Sequence, residues 1–89
     1  MRVHTFTIHS GFQREDLIAI SNESSRFVSD LKVIFANGDT LHTVDVKSLL
    51  GMLLLPIKPG TEVRLTAKGR DEEEALEFML LLFDKHLQQ

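Results

Sequence analysis

The chain has 89 residues, 43% of them hydrophobic and 26% charged, with a formal net charge of −3 and no cysteine. This length favours one domain with a modest core, and the composition is too apolar for disorder. Because no basic block stands out, nucleic-acid binding is not expected, and the lack of cysteine excludes disulfides and thiolate zinc sites. The longest apolar stretch, residues 49–57, is too short to cross a bilayer. We therefore expect a single cytoplasmic domain over residues 1–89 that binds neither membrane nor nucleic acid.

The first third of the chain predicts a strand followed by a helix. Residues 3–8 are rich in β-branched and aromatic side chains, with Phe6 and Ile8 on one face. Residues 14–27 have helical periodicity, although small polar side chains weaken the apolar stripe. The stripe consists of Leu17, Ile20, Ser21, Ser24 and Phe27.

The centre of the chain predicts a β-hairpin. Residues 31–35 form the first strand, and the alternating residues 40–46 return as the second. Asn37 and Gly38 between them both tolerate positive φ and so favour a tight turn.

The remainder predicts a short helix, a strand and a long helix. Ser48 opens a helix over about residues 49–54, and residues 62–67 alternate as a half-buried strand. Four acidic residues, 71–74, begin the last helix, where they complement the helix dipole. Its core stripe is Leu76, Met79, Leu80, Phe83 and Leu87. The order β-α-β-β-α-β-α indicates an α+β domain with helices on one face of an antiparallel sheet.

Three segments carry a resemblance to a known family. They are VDVKSLLGMLLL at 44–55, GTEVRLTAKG at 60–69 and DEEEALE at 71–77. Together with the order of elements, they resemble HPr, the small phosphocarrier of the bacterial sugar phosphotransferase system. The resemblance implies an open-faced β-sandwich, with a four-stranded antiparallel sheet in the order 1-4-2-3 and three helices on one face. Periodicity alone predicts only the α+β class.

The resemblance fails at the phosphorylation site. The family places a histidine just before the first helix, in the pattern G-(L/I)-H-A-R-P-A, and enzyme I phosphorylates it. Here the segment reads GFQREDL, which puts Gln13 on the histidine, Glu15 on the arginine and Asp16 on the proline. An amide cannot accept the phosphoryl group, and two carboxylates repel it and compete for the same N–H groups. We therefore expect no histidine phosphocarrier activity, although Glu15 and Asp16 can also serve simply as helix-capping acids.

The four histidines give no replacement constellation. His4, His9, His42 and His86 are scattered, and no Ser/His/Asp or Cys/His arrangement or glycine-rich phosphate loop stands out. We expect no catalytic residue, metal site or cofactor, and no enzyme. A phosphocarrier that uses another nucleophile, with His9 nearest the helix start, remains the alternative.

Ser48 is the second site that the resemblance implies. In Gram-positive relatives a dedicated kinase phosphorylates the equivalent serine, and the product is a corepressor of a LacI-type carbon-catabolite regulator. The family paralogue Crh keeps this serine and has glutamine for the histidine, as here, but it keeps the arginine and proline that this chain lacks. We expect Ser48 to be a phosphorylation candidate, with Lys47, Leu50 and Leu53 contacting a regulator or HPr kinase. The alternative is that Ser48 is only an N-cap and that the two leucines are core residues.

The last helix has a second apolar side, formed by Phe78 and Leu81. A helix that is apolar on two sides usually has a second neighbour. We expect a partner or homodimer surface there, against the alternative of two isolated exposed residues. The leading prediction is a non-catalytic regulatory protein of HPr or Crh type that acts by protein–protein contact, and a third possibility is a diverged interaction domain without phosphorylation.

Overall fold

The computed structural model describes residues 1–9, 13–54 and 58–87, with residues 86 and 87 described by their backbone alone. The predicted order of elements and the α+β class are confirmed. The elements are β1 (Arg2–Thr7), α1 (Arg14–Ser24), β2 (Asp30–Asn37), β3 (Thr40–Asp45), α2 (Leu49–Leu53), β4 (Glu62–Lys68) and α3 (Glu72–Leu87).

The sheet has four antiparallel strands in the order β1-β4-β2-β3, which confirms the implied topology. The hairpin between β2 and β3 pairs as far as Asn37 opposite Thr40, so only Gly38 and Asp39 connect the strands. Gly38 has φ +64°, a conformation that glycine adopts at little cost and that a tight turn requires. The central strands β4 and β2 are bordered by the two edge strands, β1 and β3.

The helices pack on one face of this sheet. Along β4, Val63, Leu65 and Ala67 point into the core, as their alternation predicts. Thr66 points to the opposite face but is only 7% exposed, because Val3 and Lys32 flank it on the neighbouring strands. The buried hydrophobic cluster consists of Ile8, Leu17, Ile20, Leu31, Val33, Phe35, Val46, Met52, Val63, Leu65, Ala67, Ala75, Met79, Leu82 and Phe83. None of the helices described has the length and apolarity that crossing a bilayer requires.

The first helix is shorter than its periodicity predicts. It ends at Ser24 instead of residue 27, with Ser25 as its C-cap. The carboxylate of Asp71 accepts hydrogen bonds from the backbone N–H groups of Val28 and Ser29, each at 3.0 Å. These long-range bonds hold the chain in the non-helical path that leads into β2, so the tertiary structure overrides the local helical pattern.

Candidate functional site

The start of α1 lies where the resemblance places the phosphorylated histidine. Gln13 is the N-cap residue and has extended backbone angles, φ −88° and ψ 152°. Its N–H donates to Oδ2 of Asp16 at 3.2 Å, and its carbonyl accepts from the N–H groups of Asp16 and Leu17. The carboxylate of Asp16 thus folds back over the helix start and uses the N–H at the family's histidine position. The preceding Gly11 and Phe12 lie outside the described residues.

Two charged side chains, Arg14 and Glu15, are exposed beside this cap. Glu15 is exposed in the first turn, where it complements the helix dipole, and Arg14 is exposed next to it. Both readings of the two acids therefore hold together for Asp16, which caps the helix and places negative charge at the same point. His9, the alternative nucleophile, is exposed just after β1.

Ser48 caps the short helix α2, as predicted. Its Oγ accepts from the N–H of Gly51 at 3.2 Å, and its carbonyl accepts from the N–H of Met52 at 2.9 Å. The backbone N–H of Ser48 donates to the carbonyl oxygen of Asp45 at 3.0 Å. The residue is exposed, so its hydroxyl lies at a helix start with access to solvent.

Lys47, a predicted partner contact, is engaged within the domain. Its Nζ donates to the carbonyl oxygen of Phe27 at 2.5 Å, and its backbone N–H donates to Oδ1 of Asp45 at 3.0 Å. The side chain is half-buried and ties the start of α2 to the chain that leaves α1. The ammonium group of the residue that precedes Ser48 therefore already has an acceptor within the domain.

The two predicted leucine contacts differ in their environment. Leu50 is 70% exposed, whereas Leu53 is half-buried and packs against the core. Sequence reasoning missed two further exposed side chains, Leu49 at 41% and Leu54 at 71%. The signal was present, because one side of a five-residue helix cannot bury all the leucines in and beside α2. We call Leu49, Leu50 and Leu54 the α2 patch.

Phe78 and Leu81 also have different surroundings. Phe78 is half-buried and packs on the Phe27 ring, with centroids 5.3 Å apart. The guanidinium carbon of Arg26 lies 3.8 Å from the centroid of the Phe78 ring, a cation–π contact that the sequence did not indicate. Leu81 is 70% exposed. The second neighbour of Phe78 is therefore the connection that follows α1 in the same chain, and the homodimer surface remains a prediction.

The acidic start of α3 does more than complement the helix dipole. Besides the bonds to Val28 and Ser29, Oδ1 of Asp71 accepts the hydroxyl of Ser29 at 2.5 Å, which is the main cause that lowers the pKa of Asp71. The N-terminal ammonium group of Met1 lies 3.0 Å from Oε2 of Glu72, and this bond lowers the pKa of Glu72. Ser29 is buried, so the role of Asp71 is to lock the α1–β2 connection onto α3.

No group of three histidine, aspartate or glutamate side chains among the described residues is placed to hold a metal ion. The sheet order, the single helix-covered face and the serine-capped α2 define a class, the small phosphocarrier-like α+β domains. Comparisons with known proteins give the family within that class.

The family described as PTS-HPr, PTS HPr component phosphorylation site, matches residues 5–85. The HPr-like protein Crh of Bacillus subtilis is 39% identical over 70 residues, covering 79% of this chain and 78% of Crh. The phosphocarrier protein HPr of Mycoplasma pneumoniae is 33% identical over 67 residues, covering 75% of this chain and 73% of that protein. The chain belongs to the HPr family.

Solved structures agree on the fold. A histidine-containing phosphocarrier protein of Mycoplasma superposes with a TM-score of 0.86 over 99% of this chain and all of that one, at 21% identity. The crystal structure of Bacillus subtilis Crh superposes with a TM-score of 0.68 at 30% identity, covering 100% of this chain and 97% of Crh. The open-faced α+β architecture implied by the resemblance is thus that of HPr and Crh.

Proposed function

We propose that this chain is a non-catalytic regulatory member of the HPr family that acts by protein–protein contact and is not a histidine phosphocarrier. The observation that carries the proposal is the hydrogen bond from the N–H of Gln13 to the Asp16 carboxylate. It places a negative group on the atoms that a phosphoryl group at this position needs for stabilisation.

The electrostatics of the α1 start support this proposal. A phosphoryl oxygen about 4 Å from a carboxylate is repelled by about 4 kcal/mol at the effective dielectric constant of a protein surface. A free helix start gives the opposite effect, because its N–H groups and dipole favour an anion. The amide of Gln13 also lacks the nucleophilic nitrogen of a neutral imidazole.

The relatives support a regulatory role. Two curated relatives are named HPr-like protein Crh, and the solved Bacillus subtilis protein is described as a catabolite repression protein. By resemblance, the pathway is carbon-catabolite or phosphotransferase-linked regulation in the cytoplasm, and the partners are a LacI-type regulator and HPr kinase.

Ser48 is the proposed switch and the α2 patch the proposed contact. The exposed hydroxyl of Ser48 lies at the N-terminus of α2 beside the N–H of Gly51. A phosphate there adds about −1.5 to −2 charges at pH 7 in a position that the helix dipole favours. Modification therefore changes the charge of the surface next to Leu49 and Leu50 without opening the fold.

Incubation with phosphoenolpyruvate and enzyme I tests the loss of phosphocarrier activity. We expect no acid-labile phosphate on the wild-type protein and none on Gln13→His, because Asp16 still occupies the cap. The triple variant Gln13→His/Glu15→Arg/Asp16→Pro, which restores the family pattern, should accept phosphate. Transfer to the wild-type protein would refute the proposal, and loss of that transfer in His9→Gln would assign it to the alternative nucleophile.

Treatment with an HPr kinase and ATP, followed by intact-mass measurement, tests the switch. We expect the mass of one phosphate on the wild-type protein and none on Ser48→Ala. Binding to an immobilised LacI-type regulator should follow phosphorylation and should be lost in Leu50→Ser. If the wild-type protein gains no mass, Ser48 is not a phosphorylation switch, and the interpretation that remains is a diverged interaction domain without phosphorylation.

The homodimer prediction concerns Phe78 and Leu81 and now rests on Leu81, which is 70% exposed, because Arg26 covers the Phe78 ring within the chain. The crystal structure of Bacillus subtilis Crh is described as an intertwined dimer with a swapping domain. Sedimentation at high micromolar concentration should show a dimer that Leu81→Ser dissociates. Leu41→Ser, which changes a leucine that is equally 70% exposed on the open sheet face, is the matched control. A wild-type monomer would exclude the homodimer.

A further inference from the structure

β1 is an edge strand, and no described strand pairs with its outer side. Among the described residues, β1 pairs only with β4. The N–H of Ile8 donates to Thr61 and its carbonyl accepts from Gly60, so the main chain of Ile8 points toward β4. Alternation along an antiparallel strand then directs the main-chain groups of Thr5 and Thr7 outward. This edge can accept another strand.

A cavity of about 210 Å³ lies beside this edge, between β1 and α3. The side chains that line it are His4, Phe6, Leu80, Phe83 and Asp84. Phe6 and Phe83 meet edge to face with ring centroids 5.7 Å apart, and Leu80 is half-buried beside them. His4 and Asp84 are exposed at the rim. A cavity of about 150 Å³ already accommodates a benzene ring, so this one has room for an aromatic side chain.

The α3 wall of this cavity is acidic. At about 100° per residue, Glu73, Glu77 and Asp84 fall within about 40° of one another on the helix, next to Leu80. The Nη2 atom of Arg2 lies 3.3 Å from Oε2 of Glu73, which confirms that this side of α3 faces β1. Glu77 and Asp84 are exposed and form no ion pair with the described side chains. Two carboxylates thus remain available along the groove.

We propose that the groove between β1 and α3 is a docking site for an extended basic segment of a partner protein. The segment adds to the sheet at β1, inserts an aromatic side chain into the cavity and places flanking lysine or arginine residues against Glu77 and Asp84. Because the groove is negatively charged, the segment that binds there must be positively charged. This surface is distinct from the α2 patch, and the proposal does not depend on phosphorylation of Ser48.

The dimensions of the two elements agree with this arrangement. The seven-residue separation of Glu77 and Asp84 corresponds to about 10.5 Å along the helix axis. In a strand, two basic residues on either side of an aromatic one, all on the same face, span about 13 Å. One aromatic anchor with a cation two residues away on each side therefore matches the groove.

The capped peptide TKTFTKT is the probe, because its lysines and phenylalanine share one face of a strand. Titration into ¹⁵N-labelled protein should shift the amide signals of Thr5 and Thr7 and of the facing part of α3. Affinity should fall roughly tenfold in Glu77→Lys/Asp84→Lys, the order of change expected when two charge pairs are reversed. It should stay within about twofold in Glu23→Lys/Glu74→Lys, which has the same change of net charge away from the groove.

Two further measurements complete the test. The peptide TKTSTKT, which lacks the anchor, should bind at least tenfold more weakly than TKTFTKT. If Glu77→Lys/Asp84→Lys does not fold, as judged by thermal unfolding, Glu77→Gln/Asp84→Asn replaces it with Glu23→Gln/Glu74→Gln as its control, and the loss of affinity should be smaller because the charges are removed and not reversed. Equal affinities of all variants, shifts confined to the α2 patch, or no binding would each overturn the proposal. Self-association lost only in the groove variant would replace the partner with a second copy and would also overturn it.

Discussion

Replacing Ser48 by alanine tests whether this residue caps α2. The structure gives Ser48 one capping bond, from the N–H of Gly51 to Oγ at 3.2 Å. Alanine removes the acceptor and exposes a helix start in an element of only five residues. Ser48→Ala should therefore unfold more easily than the wild-type protein, whereas Ser48→Asp should not, because aspartate caps as well as serine.

The expected loss of stability in Ser48→Ala follows from the free energy that a serine N-cap contributes. Loss of a serine cap costs about 1 kcal/mol, within a range of about 0.5–2 kcal/mol. A domain of this size has a free energy of unfolding of about 4–13 kcal/mol, so the loss is measurable but does not unfold the protein. Thermal unfolding should shift down by about 4–8 °C. In urea, the midpoint should fall while the slope stays constant, since the surface exposed on unfolding does not change.

Ser25→Ala is the matched control for this experiment. The Ser25 hydroxyl also makes one hydrogen bond to the backbone, donating to the carbonyl of Ser21 at 2.8 Å, but it caps no helix start. It should change the free energy of unfolding by less than about 0.5 kcal/mol. Ser48 is not a stabilising N-cap if Ser48→Ala is as stable as the wild-type protein, or if Ser48→Asp loses as much stability as Ser48→Ala.

Three further predictions concern residues away from the site. Gly69 has φ +152°, and in Gly69→Ala the new Cβ would lie 2.7 Å from the Cα of Ser29. Urea unfolding should therefore show a free energy of unfolding lower by about 3 kcal/mol or more, from backbone strain and overpacking. Gly38→Ala, with open space around its Cβ, should lower it by only about 1–2 kcal/mol. The hydroxyl of Ser24 is buried without a partner among the described residues, so calorimetry should find Ser24→Ala unchanged or about 1 kcal/mol more stable, and a clear loss would reveal a missed bond. Because the folded state lowers the pKa of Asp71, its contribution is present above the ordinary pKa of 3.8 and lost as pH falls through the lowered value; the stability advantage of the wild-type protein over Asp71→Asn should therefore shrink on acidification, and a constant difference from pH 7 to pH 3 would contradict this.

The elements of this fold follow largely from local sequence patterns. The alternation in β4, the Asn37-Gly38 turn and the serine cap of α2 each depend on residues a few positions apart, so their structure could be predicted without knowing the fold. The strand order could not be predicted in this way, because pairing between β1 and β4 joins distant parts of the chain. That order came from the resemblance to HPr.

For the candidate site too, features set by nearby residues could be predicted from the sequence, whereas features set by tertiary packing could not. The substitutions at residues 13, 15 and 16 and the position of Ser48 could be predicted from the sequence, since they depend on identity and spacing alone. The bond between Asp16 and Gln13, at three residues' separation, is the local consequence. The different exposure of Leu50 and Leu53 depends on how α2 lies on the core, so no pattern within five residues could predict it.

The sequence alone determined that this is an α+β domain whose first helix begins with an amide and two acids where a phosphocarrier needs an imidazole and a cation. Only the tertiary structure decided which apolar side chains remain available to a partner. Arg26 covers Phe78 and Asp71 holds the connection before β2, through contacts between residues more than 40 positions apart. Such contacts form because packing brings remote segments together, and periodicity along the chain carries no information about them.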